Sequence, residues 1–260
     1  MQTVIFHETV YGPIHSRRLG VSLGINLMPN DGKICSFDCV YCEAGYNEQG
    51  KGNSGVPSRE AVKRALKRKL EEMQAQGSTL DVITFSGNGE PTLHPQFKEI
   101  VHDTKLLRDR FYPQAKVSVL SNSTMAARPG VMAALKEVDN CILKLDSAFP
   151  ATMRLINQPV SPNVLPVGIV ADLKAYAGIC IVQTMFLRGE HNGKPIDNTT
   201  AAEVDALIAA YRAIQPREVM IYTIDRTTPE EHLVKVPVEE LKAIGARIEQ
   251  ETGIKVQVNG

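Results

Sequence analysis

The feature that most constrains the fold of this chain is a regular alternation of apolar, strand-like runs with helical patterns. The predicted strands are residues 21–27, 81–86, 116–120, 141–146, 179–186, 218–225 and 255–258. Several of these runs are apolar at nearly every position, which is typical of strands that are covered on both faces. The alternation predicts parallel βα units, which right-handed crossovers wind into a barrel or an open doubly wound sheet.

The segments between the strands carry helical signals. In residues 58–76, apolar side chains recur at helical spacing, and Gly77 supplies a helix end. Thr200 and Glu203 form a capping-box pattern ahead of the apolar periodicity of residues 204–214. These signals support the βα interpretation of the whole chain.

Polar side chains stand where most of the predicted strands end. They are Asn26, Ser86, Asn88, Ser121, Asn122, Lys144, Asp146, Gln183, Thr223 and Asp225. In a barrel and in an open parallel sheet alike, ligands bind at the carboxyl ends of the strands. We therefore expect these side chains to surround one site, together with the loop that follows the first predicted strand.

That loop contains three cysteines, Cys35, Cys39 and Cys42, with the spacing C-x3-C-x2-C. A [4Fe-4S] cluster is normally held by four thiolates, so three thiolates from one loop leave one iron with an open position. The alternative is a structural zinc site with a distant fourth ligand. Zinc sites usually include a second Cys or His pair, and none is visible, so the spacing favours an iron–sulfur cluster.

The remaining two cysteines, Cys141 and Cys180, lie inside apolar strands and are interpreted as core residues, so we expect no second cluster. Five cysteines with three clustered suit metal ligation in a reducing cytoplasm better than disulfide bonds. The 29 basic and 29 acidic residues cancel, which gives no global basic field for nucleic acid. Neither a membrane-spanning run nor a secretion signal is expected, and we predict a cytoplasmic protein.

A glycine-rich turn follows the second predicted strand, where Ser86 begins the run Ser-Gly-Asn-Gly-Glu-Pro. Glycines let the backbone approach a ligand closely, and Glu90 or a freed carbonyl accepts hydrogen bonds from an ammonium group. The alternative is an ordinary turn between a strand and a helix. Its placement beside the cysteine loop favours a ligand site.

Together these two motifs resemble those of the radical S-adenosylmethionine (radical SAM) enzymes. The cysteines match the superfamily's signature, with Tyr41 before the third, and residues 87–91 resemble its Gly-Gly-Glu-Pro motif with Asn88 inserted. The resemblance implies an α/β fold, a partial (βα)6 TIM-type barrel with a short terminal strand. It further implies a single radical SAM domain over residues 1–260, with the cluster loop at 28–46, and two cofactors, a [4Fe-4S] cluster and SAM.

The resemblance also assigns roles to residues. Cys35, Cys39 and Cys42 would ligate the cluster, and the glycine-rich turn would bind the amino group of SAM. The predicted SAM-contacting residues are Tyr41, Asn88, Gly89, Glu90, Ser121, Asn122, Asp146 and Gln183. For each specific contact the alternative is a solvated, turn-capping or packing role.

The activity implied by the resemblance is one-electron cleavage of SAM, which gives a 5′-deoxyadenosyl radical that abstracts hydrogen from a substrate. A reductase or a flavodoxin- or ferredoxin-type donor would supply the electron. Residues 12–20, 183–186 and 222–226 resemble a subgroup placed with wyosine-type tRNA-modifying proteins, which favours RNA as substrate. A peptide or protein substrate, a metabolite and a non-catalytic metal-stabilised binding protein are the alternatives.

The candidate catalytic residues are the charged side chains Lys144, Asp225 and Arg226 near the mouth, where a buried Lys144 cation would offset the carboxylate of SAM. Lys144 ends one strand, and Asp225 with Arg226 ends another as either a substrate-site pair or an internal salt bridge. Arg17 and Arg18 precede the first predicted strand, where they would bind an anionic group or pair with surface carboxylates.

Overall fold

The computed structural model describes residues 4–16, 20–226 and 228–260. The strands are β1 (Val10–Ser16), β2 (Gly20–Ile25), β3 (Val82–Phe85), β4 (Lys116–Ser121), β5 (Asn140–Lys144), β6 (Ile181–His191), β7 (Lys194–Asp197), β8 (Glu218–Thr223), β9 (Leu233–Lys235) and β10 (Val256–Asn259). The helices are α1 (Arg59–Ala75), α2 (Phe97–Phe111), α3 (Pro129–Glu137), α4 (Pro150–Ile156), α5 (Pro166–Leu173), α6 (Ala201–Ile214) and α7 (Val238–Thr252). All seven predicted strands are present, as β2 to β6, β8 and β10.

The main sheet has the order β1-β2-β3-β4-β5-β6-β8-β10. Seven strands of this sheet run parallel to one another, namely β2, β3, β4, β5, β6, β8 and β10. At the edge, β1 runs antiparallel to β2. Within the described residues β1 does not pair with β10, so the barrel is not closed. The partial α/β barrel expected from the sequence is confirmed.

Three strands were not predicted. β1 reads Val-Tyr-Gly-Pro-Ile-His-Ser, in which Gly12 and Pro13 weaken the strand signal. β7 and β9 pair antiparallel with the end of β6, which runs beyond the sheet from Leu187 to His191. The extension of β6 is stabilised in part by β9, which lies far from β6 in the chain. A local sequence pattern gives no information about such a distant partner.

The alternation of side chains along β5 separates the core from the barrel interior. Cys141 and Leu143 are fully buried in the large apolar cluster that includes the helices. Ile142 points the other way and packs with Ile181 and Met220 in a second cluster. This small cluster forms an apolar floor inside the barrel.

Two predicted helix starts are present with their caps. The Ser58 hydroxyl accepts a hydrogen bond from the amide of Ala61, and the Thr200 hydroxyl accepts one from the amide of Glu203. The Glu203 carboxylate accepts a hydrogen bond from the Ser147 hydroxyl, at 2.7 Å, which ties α6 to the loop after β5.

No helix in the described ranges is both long and apolar enough to cross a bilayer.

Candidate functional site

The cysteine loop leaves the end of β2 and is anchored by its apolar residues. Phe37 and Val40 are 2% and 0% exposed, so they hold the loop in the core. Cys39 between them is buried, while Cys35 and Cys42 are half-buried. The amide of Cys42 donates to the carbonyl of Cys39, at 3.0 Å, in a tight turn. Burial of two large apolar side chains therefore fixes the three thiols at the carboxyl ends of the strands.

The three loop cysteines are the candidate ligands of a metal cluster. Among the described residues, no three His, Cys, Asp or Glu side chains converge as they would around one metal ion. The thiolates of a cubane cluster bind different irons and therefore do not have to converge. Cys141, in β5, and Cys180, just before β6, are buried in the core as predicted. The thiols of the loop are therefore those of Cys35, Cys39 and Cys42. A soft all-thiolate donor set suits iron–sulfur chemistry.

The charge of this loop is balanced by a lysine that the sequence reasoning missed. Lys33 is 3% exposed, and its ammonium donates to the carbonyl of Gly45 at 2.6 Å and to Asp38 at 3.1 Å. Burial opposes its charge, but Cys42, Cys35 and Asp38 outweigh burial and raise the pKa of Lys33. A buried cation therefore lies beside two of the thiols. Its only sequence signal was its position two residues before Cys35.

Burial also governs the thiols themselves. It raises the pKa of Cys39 to about 11, with a further contribution from Asp146, and it raises the pKa of Cys35 as well. Without a bound metal, the thiols of Cys35 and Cys39 therefore keep their protons near neutral pH. Binding of a metal cluster would displace these protons, because only the thiolate is a ligand.

The glycine-rich turn lies directly against the cysteine loop. The amide of Ile34 donates to the carbonyl of Asn88 at 3.1 Å, and the amide of Glu90 donates to the carbonyl of Ile34 at 3.0 Å. Gly89 has φ +130°, and a Cβ there would lie 1.9 Å from the Ile34 carbonyl oxygen. Glycine is needed because the two backbones touch. The predicted closeness of the two motifs is confirmed.

Replacing Gly89 with alanine is expected to separate the turn from the cysteine loop and to weaken SAM binding at least tenfold, while Gly168→Ala leaves binding unchanged. A Cβ at Gly168, in α5, meets nothing within 4 Å. Alanine there is expected to be neutral or stabilising, by up to about 1 kcal/mol. Equilibrium dialysis of both cluster-loaded variants with labelled SAM is the measurement. Equal affinities for the two variants would contradict the close packing of Gly89.

The polar side chains of the turn are engaged with the protein. The Asn88 amide donates to the carbonyls of Pro29 and Phe6, at 2.8 and 2.9 Å. The Glu90 carboxylate accepts hydrogen bonds from the amides of Asn122 and Thr92, at 2.6 and 3.0 Å. Burial raises the pKa of Glu90 against the effect of these bonds. These side chains hold the turn in place, and their contact with SAM stays a prediction.

Asp146, at the end of β5, joins three parts of the site. Its carboxylate accepts a short hydrogen bond from the Tyr41 hydroxyl, and others from the Asn157 side-chain amide at 2.6 Å and the Met185 backbone amide at 2.8 Å. The ammonium of Lys144 lies 3.5 Å away. Asp146 is 1% exposed, so its charge is compensated entirely by the protein. Its predicted contact with SAM stays a prediction.

Lys144 lies between two tyrosine rings. Its Nζ is 5.0 Å from the ring centre of Tyr41 and 5.1 Å from that of Tyr222, and it donates to the Tyr222 hydroxyl at 2.8 Å. Burial opposes its charge, but Asp146 and Tyr222 raise its pKa, so it is an ammonium at neutral pH. This cation holds the two rings in place.

A cavity of about 380 Å³ opens at the carboxyl ends of the strands, within the size range of small-molecule sites. Of the predicted site residues, the cavity is lined by Tyr41, Cys42, Ser86, Gln183, Thr223, Asp225 and Arg226. Leu120, Ile142 and Met220 form its apolar floor. The predicted site residues that do not line it include Cys35, Cys39, Asn88, Gly89, Glu90, Ser121, Asn122, Lys144 and Asp146. The cysteine loop and the strand ends therefore meet around one cavity, as the sequence predicted.

Asp225 and Arg226 each form an ion pair with another part of the chain. Arg226 pairs with Glu43 of the cysteine loop at 2.7 Å, and Asp225 pairs with Lys235 at 3.5 Å. Arg226 thus links the loop after β2 to the loop after β8 at the cavity rim. Both ion pairs are exposed, and a role of Asp225 and Arg226 at a substrate site stays a prediction. Arg17 and Arg18 lie outside the described residues.

Two cavity-lining aromatic residues were missed by the sequence reasoning. Phe6 and Tyr11 stack with ring centres 3.8 Å apart, and the Tyr11 hydroxyl is 2.8 Å from the Ser86 hydroxyl. Tyr11 occupies the space over Gly24, where a Cβ would lie 2.1 Å from its ring. These rings reach the cavity only because β1 folds back on β2.

Comparison with known proteins shows which family this chain belongs to. The family model described as the radical SAM superfamily matches residues 30–194. A protein of Synechocystis, UPF0026 protein slr1464, is 33% identical over 85% of this chain and 77% of its own length. A UPF0026 protein of Helicobacter pylori is 30% identical over 84% of this chain and 66% of its own length. Across the curated relatives, this chain spans between 35% and 77% of their length.

Solved structures share the fold. A radical SAM methyltransferase from Sphaerobacter thermophilus has a TM-score of 0.64 at 15% identity, covering 92% of this chain and 65% of that protein. TYW1 with a bound lysine-pyruvate adduct has a TM-score of 0.60 at 12% identity, covering 92% of this chain and 76% of that protein. At these identities the likeness concerns the fold alone.

Proposed function

Because the chain belongs to the radical SAM superfamily, we propose that it is an enzyme in which a [4Fe-4S] cluster on Cys35, Cys39 and Cys42 cleaves SAM reductively, giving a 5′-deoxyadenosyl radical that abstracts hydrogen from a substrate. The observation that carries the proposal is that Cys42 and Tyr41 line the same cavity as the strand-end residue Gln183. A cluster held by three loop thiols would keep one iron open to a further ligand, and Cys42 is the thiol that lines the cavity.

The residues around the cavity would hold the reacting molecules and exclude water. Leu120, Ile142 and Met220 close the bottom with apolar side chains, which limits side reactions of a reactive species with solvent. Gln183, with its amide 3.4 Å from the Met220 sulfur, offers a polar group above this floor. The protein supplies orientation and a dry pocket, while the cofactors supply the chemistry.

RNA is the leading candidate substrate, because the motifs resemble those of wyosine-type tRNA-modifying proteins and TYW1 is a structural neighbour. A peptide is the runner-up, and SuiB bound to its precursor peptide SuiA is another structural neighbour, at 11% identity. The zero net charge weighs against a large RNA-binding surface. A metabolite is the third class, and its reaction would need only the cavity itself.

The proposal is tested by anaerobic reconstitution with iron and sulfide, followed by dithionite and SAM. The expected result is a brown protein that releases 5′-deoxyadenosine, with no product when dithionite is omitted. A brown protein that never cleaves SAM would contradict the enzymatic proposal. A colourless protein that retains one zinc would instead support the non-catalytic metal-stabilised alternative.

The substrate class is tested separately by retention of the loaded protein on immobilised tRNA and on peptide libraries at moderate salt. Retention on tRNA only at very low salt would indicate general electrostatic attraction and would count against RNA.

The same reconstituted protein also allows the predicted electron donor to be checked, since a flavodoxin- or ferredoxin-type protein is expected to replace dithionite. The predicted cytoplasmic location would supply such donors.

A further inference from the structure

Two asparagine side chains donate hydrogen bonds to sulfurs of the cysteine loop. The side-chain amide nitrogen of Asn157 is 3.4 Å from the Cys39 sulfur, and that of Asn122 is 3.5 Å from the Cys35 sulfur. Asn157 is 1% exposed and Asn122 is 7% exposed. Both bonds therefore lie in an environment with little water, where a hydrogen bond to a charged acceptor is strengthened.

The orientation of the Asn157 amide is dictated by its neighbours. Its nitrogen is 2.6 Å from a carboxylate oxygen of Asp146 and 3.3 Å from the Tyr41 hydroxyl. Exchanging the nitrogen and oxygen of this amide would place two acceptors against each other at Asp146, so the nitrogen must face the carboxylate. An amide nitrogen has two hydrogens, so after the bond to Asp146 the second hydrogen is shared between the Cys39 sulfur and the Tyr41 hydroxyl.

The backbone of Asn157 is fixed as well. It follows the last residue of α4, where its amide donates to the carbonyl of Met153 at 2.8 Å. Its carbonyl accepts a hydrogen bond from the amide of Asp38, inside the cysteine loop, at 2.9 Å. These bonds tie the backbone of Asn157 to the cysteine loop, and the bond to Asp146 holds its side chain toward Cys39.

A hydrogen bond to a ligand sulfur changes the potential of a bound cluster. The reduced cluster carries one more negative charge than the oxidised cluster, and part of this charge resides on the sulfurs. A donor at the sulfur therefore stabilises the reduced state more than the oxidised state and raises the reduction potential. The effect needs a donor that is rigid and desolvated, and Asn157 is both.

We propose that Asn157, assisted by Asn122, is a positioning residue that raises the reduction potential of the cluster through N–H···S bonds to Cys39 and Cys35. The inference rests on the proposed function only in requiring a cluster on the three cysteines. It assigns to Asn157 a task that nothing in the local sequence indicated, because this residue lies 118 positions after Cys39.

The test is an EPR-monitored redox titration of the reconstituted, SAM-free protein. Asn157→Leu preserves size and removes the donor, and its midpoint potential is expected to be lower than that of the unmodified protein. Adding Asn122→Leu is expected to lower it further. The matched control is Asn140→Leu, because Asn140 is also a buried asparagine but donates to Ser118, at 2.9 Å. Its potential is expected to be unchanged.

A second measurement needs no substitution. Protein labelled with ¹⁵N in the asparagine side chains is expected to show nitrogen couplings to the reduced cluster in pulsed EPR. Loss of one coupling in Asn157→Leu would assign it. An unlowered potential in Asn157→Leu, or absence of side-chain couplings in the unmodified protein, would overturn the inference. Since neither readout uses SAM, a protein that loads its cluster but cleaves no SAM contradicts the proposed function alone.

Discussion

Replacing Cys39 with alanine is expected to abolish the brown colour of the reconstituted protein and to reduce SAM cleavage to background. Two thiolates would remain in the loop, and they are too few to hold a cluster that is bound through three protein ligands. Visible absorbance, iron content and 5′-deoxyadenosine release are the measurements. The expected effect is a complete loss of all three.

The chain offers a matched control for this prediction. Cys180 is a buried cysteine outside the loop, with 0% exposure, and Cys180→Ala removes a thiol of the same kind from the core. This change is expected to cost about 1 kcal/mol of stability and to leave the cluster intact. If Cys180→Ala lost its iron while Cys39→Ala kept it, the assignment of the cluster loop would be wrong.

Replacing Asp146 with asparagine is expected to destabilise the protein by about 3–5 kcal/mol, because it leaves the buried ammonium of Lys144 without its carboxylate partner. The side chain of Lys144 is only 15% exposed, so water cannot replace the lost charge. The change also weakens the acceptor used by Tyr41, Asn157 and the Met185 amide. Equilibrium urea unfolding of the protein, followed by circular dichroism, is the measurement.

A double-mutant cycle separates the charge effect from the lost hydrogen bonds. Lys144→Met combined with Asp146→Asn removes both charges, and it is expected to be more stable than Asp146→Asn alone. Glu239→Gln is the control for carboxylate loss at an exposed site, since this side chain is 84% exposed and its partner Lys242 is 59% exposed, and little change is expected. Strictly additive effects of the two buried substitutions would contradict the coupling of Lys144 to Asp146.

Several features of the site could be predicted because each depends on residues that are close together in the sequence. The spacing of Cys35, Cys39 and Cys42 and the glycines at 87 and 89 lie within single loops. The parallel topology then brings these loops together, since all carboxyl ends of the strands point to one side. Gln183 was found by the same rule and does line the cavity.

Other features could not be predicted, because their partners are far apart in the chain. Asn157 and Lys33 look like ordinary polar residues in the sequence, and only packing places them beside the cysteine sulfurs and the loop carbonyls. Phe6 and Tyr11 reach the cavity through β1, whose glycine and proline conceal a strand. Asp225 and Arg226 are adjacent in sequence, yet each pairs with a residue from another element.

The sequence by itself determined the alternation of strands and helices, the three-thiol loop and the end of the barrel where a ligand would bind. These depend on periodicity and on local backbone requirements, which act over a few residues. The tertiary structure alone decided which buried charges compensate one another, which amides face the sulfurs and which side chains enclose the cavity. These features depend on the burial of polar groups. Burying a charge or a hydrogen-bond donor is costly unless a partner lies within reach, and in the folded protein that partner can come from any part of the chain.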